Sequence, residues 1–113
     1  MSTHAQLAGK LLADAATFFR TLASQNEELK DQMTENATVF DQMAQLISQD
    51  PTGMLQDTSH SALAGRLLKD AAGFFRTLAD QNEDIQEQMH ENANVYEQLG
   101  NLVEADPMGE LQD

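Results

Sequence analysis

Phe18-Phe19-Arg20-Thr21-Leu22-Ala23 and Phe74-Phe75-Arg76-Thr77-Leu78-Ala79 are the same six residues 56 positions apart. Outward from this stretch the register holds without a gap from His4/His60 to Asp57/Asp113, so the chain reads as a tandem duplication of one unit. Repeat one covers 1–57 and repeat two 58–113. A lone unit of this size buries too little apolar surface to be secure. The two are therefore expected to share one core, in a single domain spanning 1–113.

The pattern around the Phe pair is helical. At about 100° per residue, Leu7, Leu11, Ala15, Phe18 and Leu22 fall within a narrow arc that Leu12 and Phe19 widen to roughly 140°. Thr3 with Gln6 has the form of a capping box and predicts a helix start near His4. A second stripe runs through Met33, Ala37, Phe40, Met43, Ala44 and Ile47 and stops at Asp50-Pro51, because a residue preceding proline is pushed out of helical geometry. Asp106-Pro107 closes the second copy in the same way. Residues 51–58 read as the linker, and the equivalent stretch after Pro107 as a tail.

Between the stripes, Ser24-Gln25-Asn26-Glu27 and Asp80-Gln81-Asn82-Glu83 both resemble helix starts. Neither contains Gly or Pro, and one continuous helix per unit is also allowed. The polar Gln25 and Asn26 interrupt the stripe and favour a break. The expected helices are thus about 3–23 and 25–49, then about 59–79 and 81–105. The fold class is all-α, an antiparallel bundle with a four-helix cross-section completed within one chain or by dimerisation.

Charge narrows the partners. The 113 residues carry 6 Lys and Arg against 19 Asp and Glu, a net charge of −13. Such a surface argues against nucleic acid, whose binding draws on cations displacing phosphate counterions, and against an anionic membrane. Each unit has a mildly basic first half and a strongly acidic second half, which suits antiparallel packing. Absence of cysteine removes thiol chemistry. With no long apolar run and no leader-like start, a cytoplasmic protein is expected.

Few residues suggest chemistry. Glu87 and His90 have the Glu-x-x-His spacing of carboxylate-bridged metal bundles, with Glu83 one turn earlier, but the first copy has Asp31 and Thr34 there and the pair lies off the apolar face. A solvated acidic face with a stray His explains them as well. His4 and His60 hold equivalent positions, and if brought together they could bind a metal or respond to pH; the plainer reading is two residues of the capping turns. Asn36 and Asn92 fall at the centre of the second stripe, where a paired amide can set helix register. Arg20 has no acid at i±3 or i±4 and is expected to bridge to the acidic helix.

Core or interface residues are expected at Leu11, Phe18, Phe19, Leu22, Met33 and Phe40, and at Leu67, Phe74, Phe75, Leu78, Met89 and Tyr96. No nucleophile elbow and no phosphate loop occurs, and no cofactor is implied. The expectation is a non-enzymatic interaction or scaffold protein, pairing with itself as a homodimer or with a protein partner through apolar helix faces. Two others accompany it: a metal-binding bundle with a redox or storage role, and an acidic decoy occupying a basic protein's nucleic-acid site.

Overall fold

The computed structural model describes residues 3–110, apart from the side chain of Leu55. Four helices, α1 (His4–Gln25), α2 (Lys30–Gln49), α3 (His60–Gln81) and α4 (Gln86–Ala105), pack against one another as an all-α bundle within the single chain. None is long and apolar enough to cross a membrane.

Thr3 starts α1 by accepting from the Gln6 backbone N–H at 3.1 Å, while the Gln6 side chain accepts from the Thr3 N–H at 3.0 Å. Ser59 starts α3 by accepting from the Ala62 N–H. The helix-start reading of Ser24 and Asp80 is corrected. Ser24 is still inside α1 and its hydroxyl donates to the Thr21 carbonyl at 2.8 Å. Asn26 makes the break: its backbone turns extended (φ −136°, ψ 102°) and its side-chain amide donates back to Leu22. A single 3-10 turn, Glu27–Leu29, then leads into α2, which begins at Lys30 rather than near 25. Asn82 and the turn Glu83–Ile85 repeat this between α3 and α4.

The linker is more than a spacer. Met54–Leu55 (β1) pairs antiparallel with Thr58–Ser59 (β2) around a two-residue turn, Gln56-Asp57, in which Gln56 takes a φ of 58°. That left-handed conformation is usually left to glycine in such turns. The reading of residues after Pro107 as a mere tail is also corrected. Glu110 pairs antiparallel with Thr3 as Met54 pairs with Ser59, and the His4 N–H donates to the Gly109 carbonyl (2.7 Å) as the His60 N–H donates to Gly53 (2.9 Å). Neither Gly53 nor Gly109 has positive φ. They are small for want of room, since a β-carbon on either would lie under 3 Å from the ring of His60 or His4.

Contact is dense within the hairpins α1/α2 and α3/α4 and sparse between them. The hairpins meet at the Phe pairs, edge to face: Phe18 against Phe75 with centroids 5.4 Å apart, and Phe19 against Phe74 at 5.3 Å. Phe40 and Tyr96 extend the cluster outward, packing edge-on to Phe19 and Phe75. Such pairs contribute about 0.5–1.5 kcal/mol each beyond their buried area.

The centre of the first stripe lies elsewhere than its larger residues suggest. Ala8, Leu12, Ala15, Ala16, Phe19 and Ala23 are the buried line of α1, whereas Leu7, Leu11, Phe18 and Leu22 are only partly buried. Small side chains let the helices of a hairpin approach closely, and Leu7, Leu11 and Phe18 stand instead at the wider seam between hairpins.

Candidate functional site

The seam forms two matching grooves. Between α2 and α3, Val39, Gln42, Met43 and Leu46 face Leu63, Arg66, Leu67 and Asp70 around a cavity of about 440 Å³. Between α1 and α4, Val95, Gln98, Leu99 and Leu102 face Leu7, Lys10, Leu11 and Asp14 around about 360 Å³. Every lining residue of one groove sits 56 positions from its counterpart in the other.

Each groove continues past the Phe cluster. Phe40, Phe74, Asn36, Leu67 and Asp70 border a smaller space of about 290 Å³ on one side, and Tyr96, Phe18, Asn92, Leu11 and Asp14 one of about 240 Å³ on the other. Asn36 and Asn92 are thus half-buried in different seams and do not pair with each other. A helical-wheel position at the stripe centre could not show this, because the seam opens there.

Apolar side chains are left partly bare in the grooves: Val39 is 48% exposed, Val95 52% and Leu102 37%. Polar groups set their edges. Lys10 and Arg66 hold equivalent edge positions, and among the described residues neither forms an ion pair. Arg20, Lys69 and Arg76 are engaged within the hairpins: Arg20 reaches Asp41 across to α2 at 2.6 Å, as expected from its lack of a neighbour on α1, and Arg76 reaches Glu97 equivalently. Arg76 passes over Asp80, its i+4 neighbour. Among exposed pairs these contribute little, about 0–1 kcal/mol.

Tyr96 is the polar anchor that sequence reasoning missed. Its hydroxyl donates to the Leu11 carbonyl at 2.9 Å and ties α4 to α1 across the seam. Burial, with a smaller effect from the Asp14 carboxylate, pushes its ionisation well above the usual tyrosine value. The only sequence signal was that Phe40, its counterpart, lacks the hydroxyl.

Of the expected core and interface residues, Phe19, Met33, Phe40, Phe75, Met89 and Tyr96 are buried. Leu11, Phe18, Leu22, Leu67, Phe74 and Leu78 are partly buried. The metal candidates are dispersed. Glu83, Glu87 and His90 are all exposed, and among the described residues no group of three or more His, Asp and Glu gathers around a point that could hold a metal ion. His4 and His60 are buried, but each ring fastens its own connection: Nδ1 of His4 bonds the Asp106 carbonyl at 2.7 Å, and Nδ1 of His60 that of Asp50 at 2.8 Å. With those carbonyls as acceptors, the ring N–H is at Nδ1 in both.

Comparison with protein-family models, with characterised proteins and with solved structures finds no match.

Proposed function

We propose that the chain is a non-enzymatic interaction protein, built by tandem duplication, that holds protein partners in the two seam grooves. The observation that carries this reading is the pair of equivalent apolar clefts with Val39 and Val95 half-exposed in an otherwise acidic molecule. Contiguous apolar surface rimmed by polar groups marks interaction sites in soluble proteins. The charge of −13 sets two copies against each other, which favours a different chain over self-pairing.

The test is affinity capture with the native chain beside the double variant Val39→Glu, Val95→Glu. Both positions are exposed enough to take a carboxylate without disturbing the fold. Proteins retained by the native chain and lost by the variant support the reading. Capture that is identical for both chains defeats it.

A further inference from the structure

We infer that each groove takes one amphipathic helix of two to three turns carrying positive charge, so that one chain holds two such helices on opposite sides. This rests on the interaction role proposed above and names the partner's shape, charge and number. The length follows from the groove: Leu46 to Asn36 spans ten residues of α2, about 15 Å at about 1.5 Å per residue. A helix laid along it would present apolar residues at i, i+3, i+4 and i+7 to Val39, Met43, Leu46, Leu63 and Leu67, the recurring helix-in-groove arrangement. A strand would leave its backbone groups unpaired there, because both walls are helices with their own hydrogen bonds already made.

The charge follows from the edges. Where the groove passes the Phe cluster it is bordered by Asp70, and the exposed Glu35 stands just beyond the lining residues, one turn before Val39 on α2. Asp14 and Glu91 stand in the same places on the other seam. Lys10 and Arg66, toward the other end, supply one positive charge per groove against these two acids. The lining itself is balanced, one base to one acid, so the excess is supplied by Glu35 and Glu91 beyond it and by the molecule's net charge of −13, which steers a cationic helix in. The number follows from correspondence: the residues around the two main cavities differ only in that Met43 is replaced by Leu99 and Arg66 by Lys10, and past the Phe cluster Phe40 is replaced by Tyr96, whose hydroxyl is already engaged by the Leu11 carbonyl.

The experiment is calorimetric titration of the full chain with a short peptide bearing leucines at i, i+3, i+4 and i+7 and lysines on its flanks. The same peptide with glutamates for lysines serves as control. Two peptides per chain are expected, with affinity at least about tenfold weaker for the acidic control. Val39→Glu should reduce the number from two to one, and Val39→Glu with Val95→Glu to none, while circular dichroism confirms that both variants remain helical. One site in the native chain, equal binding of both peptides, or binding untouched by the substitutions would overturn the inference. If sedimentation shows the chain pairing with itself and Val39→Glu abolishes that, the occupant is a second copy and the inference is likewise overturned. Absence of peptide binding alongside groove-dependent protein capture would sink only the helix assignment. Absence of both would sink the interaction role with it.

Discussion

Where α1 crosses α2, Gly9 lies against Ala44 and Ser48; where α3 crosses α4, Gly65 lies against Gly100. A β-carbon on Gly65 would come within 2.7 Å of the Gly100 carbonyl, whereas one on Gly9 would reach the Ala44 carbonyl only at 3.3 Å and otherwise press on the movable Ser48 hydroxyl. The second crossing is also strapped by Lys69 to Glu104 at 2.8 Å, positions held by Ala13 and Ser48 in the first half. There the same region is an open recess of about 510 Å³ bordered by Gly9, Ala13, Ala44 and Ser48. Two hairpins with one outline both keep an arginine bridge, Arg20 with Asp41 or Arg76 with Glu97. These crossings, however, are closed by different means, the second by backbone proximity and the added pair of Lys69 with Glu104, the first by uncharged side chains beside an open recess. The outline depends on the Phe cluster and the alanine lines that both share.

The largest losses are expected where the two hairpins share a part. Phe75→Ala and Phe19→Ala should each cost about 3–5 kcal/mol in urea denaturation, because these rings are 3% and 2% exposed and each packs on aromatic neighbours. The half-buried Phe18 and Phe74 should cost clearly less, and equal losses at all four would show the cluster to be uniformly enclosed.

Next, Gly65→Ala should cost about 1–3 kcal/mol as the α3/α4 backbones are forced apart. Gly9→Ala should cost less than half of that. A reversed order in paired melting curves would mean that the first hairpin is the tighter one.

Tyr96→Phe removes a bond that the first half never had, at an expected cost of about 1 kcal/mol. The pH profile separates it from simple packing loss. Because the folded protein resists ionising this phenol, its contribution holds below the ordinary value of 10.0 and is lost as pH rises beyond it. Wild-type stability should fall in that alkaline range more steeply than that of Tyr96→Phe, and parallel curves would count against the assigned environment.

The smallest effect has the opposite sign. Gly73 is an exposed helical residue with open space around its α-carbon, standing where the first half has Thr17. Gly73→Ala should gain about 0.5–1 kcal/mol, and a loss on thermal unfolding would reveal a contact that the geometry does not contain.

Much of this was readable from residue order. Thr3 with Gln6, Asp50 before Pro51 and the lone Arg20 each met a local rule that the fold then obeyed. The alanines misled because small residues add little to an apolar stripe, yet they permit the close approach that decides which face is innermost. Asn26 was legible as an interruption of the stripe, and the break falls there, but the capping-box form around it put the next helix start too early, at Ser24. The grooves were illegible for a further reason: whether Leu11 or Leu67 is covered depends on the spacing between hairpins, which no periodicity records. For the last four described residues the signal was present and unused, since whatever Gly53 does beside His60, Gly109 had the means to do beside His4.

That last correspondence makes the helices a closed circuit in which one connection is covalent and its equivalent is held by hydrogen bonds. The order in which the chain visits the four helices is then separable from how they pack. A circular permutant cut within Gln56-Asp57, with Glu110 led back to Thr3 through a short connector, should exchange the roles of the two joints and rebuild the same bundle from a different starting point.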